Sequence, residues 1–174
     1  MRKYGEEIPC SANTVIGRQS LSALAGCSLL QNLALCYSTG SLSHLEDVVR
    51  YCKSLREISL CQHPDVFDVG NMPPSISVEV LHLENQAIPD DDIGFHSLRH
   101  WHSLRELGFY CYMGTAMILD ALSAESEAIR HVAKIELCGC GDYADDKVRA
   151  LQSRLQPCSV EREDGSSVIF RKDQ

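Results

Sequence analysis

The stretch YCKSLREISLCQH, from Tyr51 to His63, decides the fold. It has a cysteine near each end and apolar residues at Leu55, Ile58 and Leu60. The cysteines and the histidine invite a metal or redox reading. The apolar spacing invites another, in which they punctuate a structural repeat. Written as a template, apolar at positions 1, 4 and 6, the pattern recurs along the chain. Leu30, Leu33 and Leu35 precede it; Val78, Leu81 and Leu83, then Leu104, Leu107 and Phe109, then Val132, Ile135 and Leu137, then Leu155, Cys158 and Val160 follow. Gly5, Ile8 and Cys10 make a weaker first copy. Of the 21 positions, 18 hold Leu, Ile, Val or Phe, where independent placement in a chain 44% hydrophobic would leave more than half polar.

Copies 23 to 28 residues apart are the mark of a repeat architecture. Alternation at positions 4 and 6 reads as a short strand with one buried face. Between the copies, SLSHLEDVVRYC (Ser41–Cys52), TAMILDALSAESEAI (Thr115–Ile129) and DYADDKVRALQSRL (Asp142–Leu155) place apolar residues three and four apart, as helices do. HPDVFDVGNMPPS (His63–Ser75) departs from this, and its prolines and glycine predict an irregular or 3₁₀ return. Strand, turn, helix, turn, repeated, gives parallel strands with helical crossovers. The expectation is an α/β solenoid with about seven parallel strands lining a concave face and helices on the convex face. One domain spans residues 1–174, with a weak first repeat at 1–16 and a cap at 157–174. In the cap, Asp164–Gly165 between alternating segments signals a hairpin that covers the last open edge. Pro9 suits an edge strand at the other end.

CSLLQNLAL (Cys27–Leu35) and CKSLREISL (Cys52–Leu60) carry a leading cysteine, and VAKIELCGC (Val132–Cys140) a closing one. In this the chain resembles the cysteine-containing leucine-rich repeats of the ribonuclease-inhibitor-like superfamily, best known from F-box-type substrate receptors. The closing position, Asn or Cys in that family, here holds Asn13, Ser38, His63, Gln86, Tyr112, Cys140 and Glu163. Trp101 and Ile129 stand where later copies lack the leading cysteine. On this reading Cys27 and Cys52 are small buried hydrophobes.

The composition narrows the partners. A net charge of −8 repels phosphate backbones, which disfavours nucleic acid and suits a protein partner with a basic surface. No uncharged apolar run approaches the roughly 18 residues of a membrane span, and the first ten residues, MRKYGEEIPC, lack a secretory core. Nine cysteines, an odd number without a compact framework, predict reduced thiols inside the cell, in the cytoplasm or a mitochondrion.

Catalytic motifs of the Walker, G-x-S-x-G, H-E-x-x-H and G-x-G-x-x-G types are missing from the sequence. The sequence therefore predicts no enzyme, no cofactor and no metal, and a protein-interaction module: a small subunit or assembly factor of a larger complex. The family resemblance adds the substrate-receptor part of a ubiquitin ligase as an alternative. The partner-binding face comes from strand positions 3, 5 and 7: Asn32, Cys36, Glu57, Ser59, Cys61, His82, Glu84, Glu106, Tyr110, Lys134 and Glu136, with Tyr37 just beyond. Tyr110 and His82 are the anchors near its centre. The rival is a thiol- or metal-dependent protein built on Cys36, Cys61, Cys138 and His82, with Cys140 or His63 as further ligands. The second tight cysteine pair of a zinc site is lacking. His96, His100 and His102 are expected on the convex side, beside a buried Trp101.

Overall fold

The computed structural model describes residues 24, 26–36, 45–61, 69, 72–84, 94–110, 115–139, 143–163 and 167–172. Seven strands form one sheet: β1 (Asn32–Cys36), β2 (Glu57–Cys61), β3 (Val80–Glu84), β4 (Glu106–Tyr110), β5 (Lys134–Cys138), β6 (Cys158–Glu163) and β7 (Ser167–Lys172). Their order is β1-β2-β3-β4-β5-β7-β6. β1 to β5 are parallel, each paired with the next in the chain. β7 lies antiparallel between β5 and β6. Three helices are described: α1 (Leu45–Tyr51), α2 (Thr115–Ala124) and α3 (Asp145–Leu155), with a 3₁₀ turn at His96–His100. The protein is therefore an α/β fold on a mostly parallel sheet.

The register is uniform. Leu33, Ile58, Leu81, Leu107 and Ile135 share one row, and Leu35, Leu60, Leu83, Phe109 and Leu137 another. All ten are buried, because alternate strand residues point to the same face. They share one apolar cluster with Leu45, Val48 and Val49 of α1, Ile118, Leu119 and Leu122 of α2, and Val148, Leu151 and Leu155 of α3. The helices thus cover this face. Glu46 and Asp47 open α1 and Arg50 closes it; Asp145 and Asp146 open α3 and Arg154 closes it, each favoured by the helix dipole.

β2 to β5 are each entered in the same way. The backbone N–H groups of Arg56 and Glu57 both reach the Gln31 carbonyl; those of Glu79 and Val80 reach Arg56, those of Arg105 and Glu106 reach Glu79, and those of Ala133 and Lys134 reach Arg105. Behind the strands, side chains stitch one return to the one before. The Cys52 thiol donates to the Cys27 carbonyl at 3.1 Å, Trp101 Nε1 to the Pro73 carbonyl at 2.9 Å, and Ser103 Oγ to the Ile76 carbonyl at 2.8 Å. Cys52 is buried, as read from the sequence, but it also satisfies a backbone acceptor. Cys27 is exposed.

Two expectations need correction. The parallel strands number five among the described residues, not about seven. Leu155 ends α3, while Cys158 and Val160 sit in β6, which runs antiparallel to β7. β7 takes the edge of β5 because Val168 and Phe170 add to its buried rows, opposite Leu137 and Ile135. The first copy, Gly5, Ile8 and Cys10, and the Asp164–Gly165 turn lie outside the described residues. TAMILDALSAESEAI is helical only from Thr115 to Ala124. The return before β3 carries no α-helix at residues 72–79. Among the described residues, no helix is long and apolar enough to cross a membrane.

Candidate functional site

The other face of the sheet carries the alternate residues, and three rows cross it. Glu57, Val80, Glu106 and Lys134 form the first, Ser59, His82, Gly108 and Glu136 the second, and Cys61, Glu84, Tyr110 and Cys138 the third. Strand neighbours stand about 4.8 Å apart, so charges that are 24 to 28 residues apart in sequence meet.

A continuous polar network occupies the centre. His82 Nε2 lies 3.1 Å from Glu106 Oε1. The Lys134 ammonium donates to that same oxygen at 3.0 Å and to Glu136 Oε2 at 2.6 Å. The Tyr110 hydroxyl donates to Glu136 Oε2 at 3.2 Å. Cys138 Sγ lies 3.5 Å from Glu136 Oε1. Glu136 is buried, with 2% of its side chain exposed, and each of its oxygens has a partner.

Gly108 makes this possible. A Cβ there would stand 2.6 Å from Tyr110 Cε2, 2.7 Å from its hydroxyl and 2.9 Å from His82 Cδ2. The tyrosine ring therefore lies back over Gly108, edge-on to His82 with ring centres 5.3 Å apart. From the glycine it reaches across to Glu136 on the next strand. A larger residue at position 108 would lift it off.

The bonds set the charge states. The hydrogen bond with His82 holds the Glu106 carboxyl down to about 2; burial opposes this, and Lys134 adds to it. Burial would lower the Lys134 ammonium, but Glu136 and Glu106 outweigh it and its pKa rises. Burial pushes the Cys138 thiol up to about 11, and the Glu136 carboxylate pushes the same way. Glu106 and Glu136 flank one lysine, so the centre carries one carboxylate charge in excess before His82 is counted. Glu57 and Glu84 extend the acidity to either side.

Of the residues named from the sequence, the structure joins His82, Glu106, Tyr110, Lys134 and Glu136 in one network. Asn32 Nδ2 lies 3.4 Å from Glu57 Oε2 in a second, smaller contact. Ser59 is half-buried beside His82, and Cys61 is buried. Cys36 and Cys61 are register partners. Tyr37, His63 and Cys140 lie outside the described residues. Gly108 was read as a position of this face, but its part in seating Tyr110 was missed. Its signal was a glycine between two polar residues of one row.

Of the thiol or metal reading, Cys61, Cys138 and His82 lie with their side chains among the described residues. Cys138 stays protonated at neutral pH and is a poor nucleophile or ligand. Among the described residues, no three His, Cys, Asp or Glu side chains are grouped to hold a metal ion. His96, His100 and His102 are exposed around the 3₁₀ turn, and Trp101 is buried.

No family model matches the chain, and no curated protein matches it. Among solved structures, one match is the release-factor-specific protein-(glutamine-N5) methyltransferase of Alicyclobacillus acidocaldarius. It is 11% identical, with 90% of this chain and 91% of that chain covered, at a TM-score of 0.33. These findings correct the family reading: no leucine-rich-repeat model answers to the sequence, and the solved structure named is not a leucine-rich-repeat protein. Membership of the cysteine-containing leucine-rich repeats, and the ligase role that came with it, are not carried forward. The expectations of a non-enzymatic module and of no enzyme, which rested on missing motifs and on the repeat, are likewise not carried forward. At that identity and TM-score, the likeness to the methyltransferase carries no argument about this chain's own fold or chemistry.

Proposed function

We propose that the open face of the sheet binds a cationic segment of a partner protein, with Tyr110 and the carboxylates around it as the contact. The single observation that carries this is the acidic network at its centre. Four carboxylates, Glu57, Glu84, Glu106 and Glu136, share the face with one lysine, and Tyr110 and His82 present ring surface among them. Arginine and lysine side chains pair with carboxylates and stack on aromatic rings. Glu57, Glu84, His82 and Tyr110 are half-buried and accessible from solvent. Glu136 and Lys134 act from beneath by fixing Tyr110 and Glu106.

In this reading the five parallel strands and their returns stack as a solenoid, with the sheet on its inner side. The repeated strand entries and the unbroken register support it. The Cys52 thiol, which donates to a backbone carbonyl, suits the reducing interior of a cell.

The experiment compares proteins retained from native extract by the wild type and by a Tyr110→Ala, Glu84→Lys variant whose folding is checked by circular dichroism. Retained proteins with basic surfaces, lost from the variant and released by salt, are the expected result. An identical set on both proteins overturns the assignment of this face.

A further inference from the structure

The chain carries a net charge of −8, yet one corner at the strand-entry end of the sheet collects cations. His131 Nε2 lies 2.9 Å from the Trp101 carbonyl oxygen, which sets its ring beside the turn that carries His102. The Arg105 carbonyl accepts from the N–H groups of Ala133 and Lys134, both at 2.9 Å. The Lys172 N–H donates to the Ala133 carbonyl at 3.0 Å. Three backbone segments thus bring Arg105, His131 and Lys172 to one end of the sheet, with Arg130 and His102 adjoining.

Among the described residues, little neutralises them. Arg105 and Lys172 have no ion pair among the described residues. Glu127 lies 3.6 Å from Arg130, with both side chains largely exposed. The neighbouring carboxylates are engaged elsewhere, Glu79 with Arg56 at 3.0 Å and Glu161 with Arg171 at 3.2 Å. Among the described residues, Arg105, Arg130 and Lys172 therefore face one local carboxylate, Glu127. The titrations agree. Burial lowers the His131 imidazole, and His102 and Lys172 lower it further, against its bond to Trp101. Burial lowers the Lys172 ammonium and Arg130 adds to the fall, against a smaller opposing effect of Cys158. Beyond burial, each of these groups therefore feels like charge from its neighbours.

We propose that this corner binds a doubly charged oxyanion of the phosphate type, held by Arg105, Lys172 and Arg130 with His102 and His131 beside them. Several cationic donors on three segments fit an ion that accepts on several oxygens better than a single carboxylate. Arginine offers paired donors to such an ion. The site is separate from the acidic face and stands without it.

The test is a titration of the whole chain with inorganic phosphate, against sodium chloride at matched ionic strength, with the ring protons of His102 and His131 followed by NMR. Saturable shifts with phosphate, absent with chloride, are expected. In an Arg105→Gln, Lys172→Gln variant with unchanged circular dichroism, the affinity falls at least fivefold. Equal responses to the two salts overturn the site. So does a variant that binds phosphate as well as the wild type.

Discussion

At Gly108, one missing methyl group decides how a tyrosine lies. Gly108→Ala places a Cβ 2.6 Å from Tyr110 Cε2, so the ring must swing away and its bond to Glu136 is lost. A hydrogen bond to a charged group is worth about 1.5–3 kcal/mol, and replacing a strand glycine returns about 0.5–1 kcal/mol. The expected outcome is a net loss of about 1 kcal/mol in urea unfolding. In a Tyr110→Phe background the same change costs less, because the bond is already gone; equal costs in both backgrounds refute the contact. The acid limb follows from Glu106. Its folded pKa, about 2, lies below the ordinary 4.5, so its contribution is complete above pH 4.5 and is lost as pH falls towards 2. Glu106→Gln should remove about 2 kcal/mol at neutral pH and flatten stability between those values. Lys134 has the opposite sign, since its raised pKa contributes below the ordinary 10.5 and is lost as pH rises past its folded value. Which residues share the open face was legible in alternation alone, from Glu57 to Glu136. The folding back of Tyr110 and the burial of Glu136 were not. They depend on neighbours 26 residues away, brought alongside by register.

Elements hold together through the bonds between successive returns. Trp101 is fully buried, and its indole N–H meets the Pro73 carbonyl of the preceding return. Trp101→Phe leaves that acceptor unpaired and opens a cavity, at a cost of about 2–4 kcal/mol in chemical unfolding. A loss below 0.5 kcal/mol contradicts the stitching role. The sequence marked Trp101 and Cys52 as fillers of one repeating buried position, and both are buried. It did not show that either side chain donates to a neighbouring turn, because no spacing rule names a backbone carbonyl as partner. The helices were legible where the apolar stripe is clean, as at Val148, Leu151 and Leu155. The stretch after Ala124 continues its apolar spacing to Ala128 and Ile129 in turns rather than helix.

For the whole molecule, the repeat in the apolar positions gave the parallel order of β1 to β5. It overran at the C-terminal end, where Leu155, Cys158 and Val160 fit the template while the chain turns back. A buried apolar row cannot tell a parallel neighbour from an antiparallel one, since both alternate with period two. The pairing was decided by Val168 and Phe170, which close the core over β5. Removing residues 157–174 should bare the β5 edge together with Ile135 and Leu137. Such an edge pairs with other chains, so sedimentation velocity should show larger species than the full chain forms. A monomeric, folded truncation contradicts the covering role of the hairpin.

The open face is the centre of this account, and one titration tests it most directly. A decapeptide of alternating arginine and serine is added to the isotope-labelled chain, and backbone amide shifts are followed by NMR. The account predicts saturable shifts concentrated at Glu57, His82, Glu84 and Tyr110, abolished by Glu84→Lys with Tyr110→Ala. Shifts centred on α1 to α3, or none at all, contradict it.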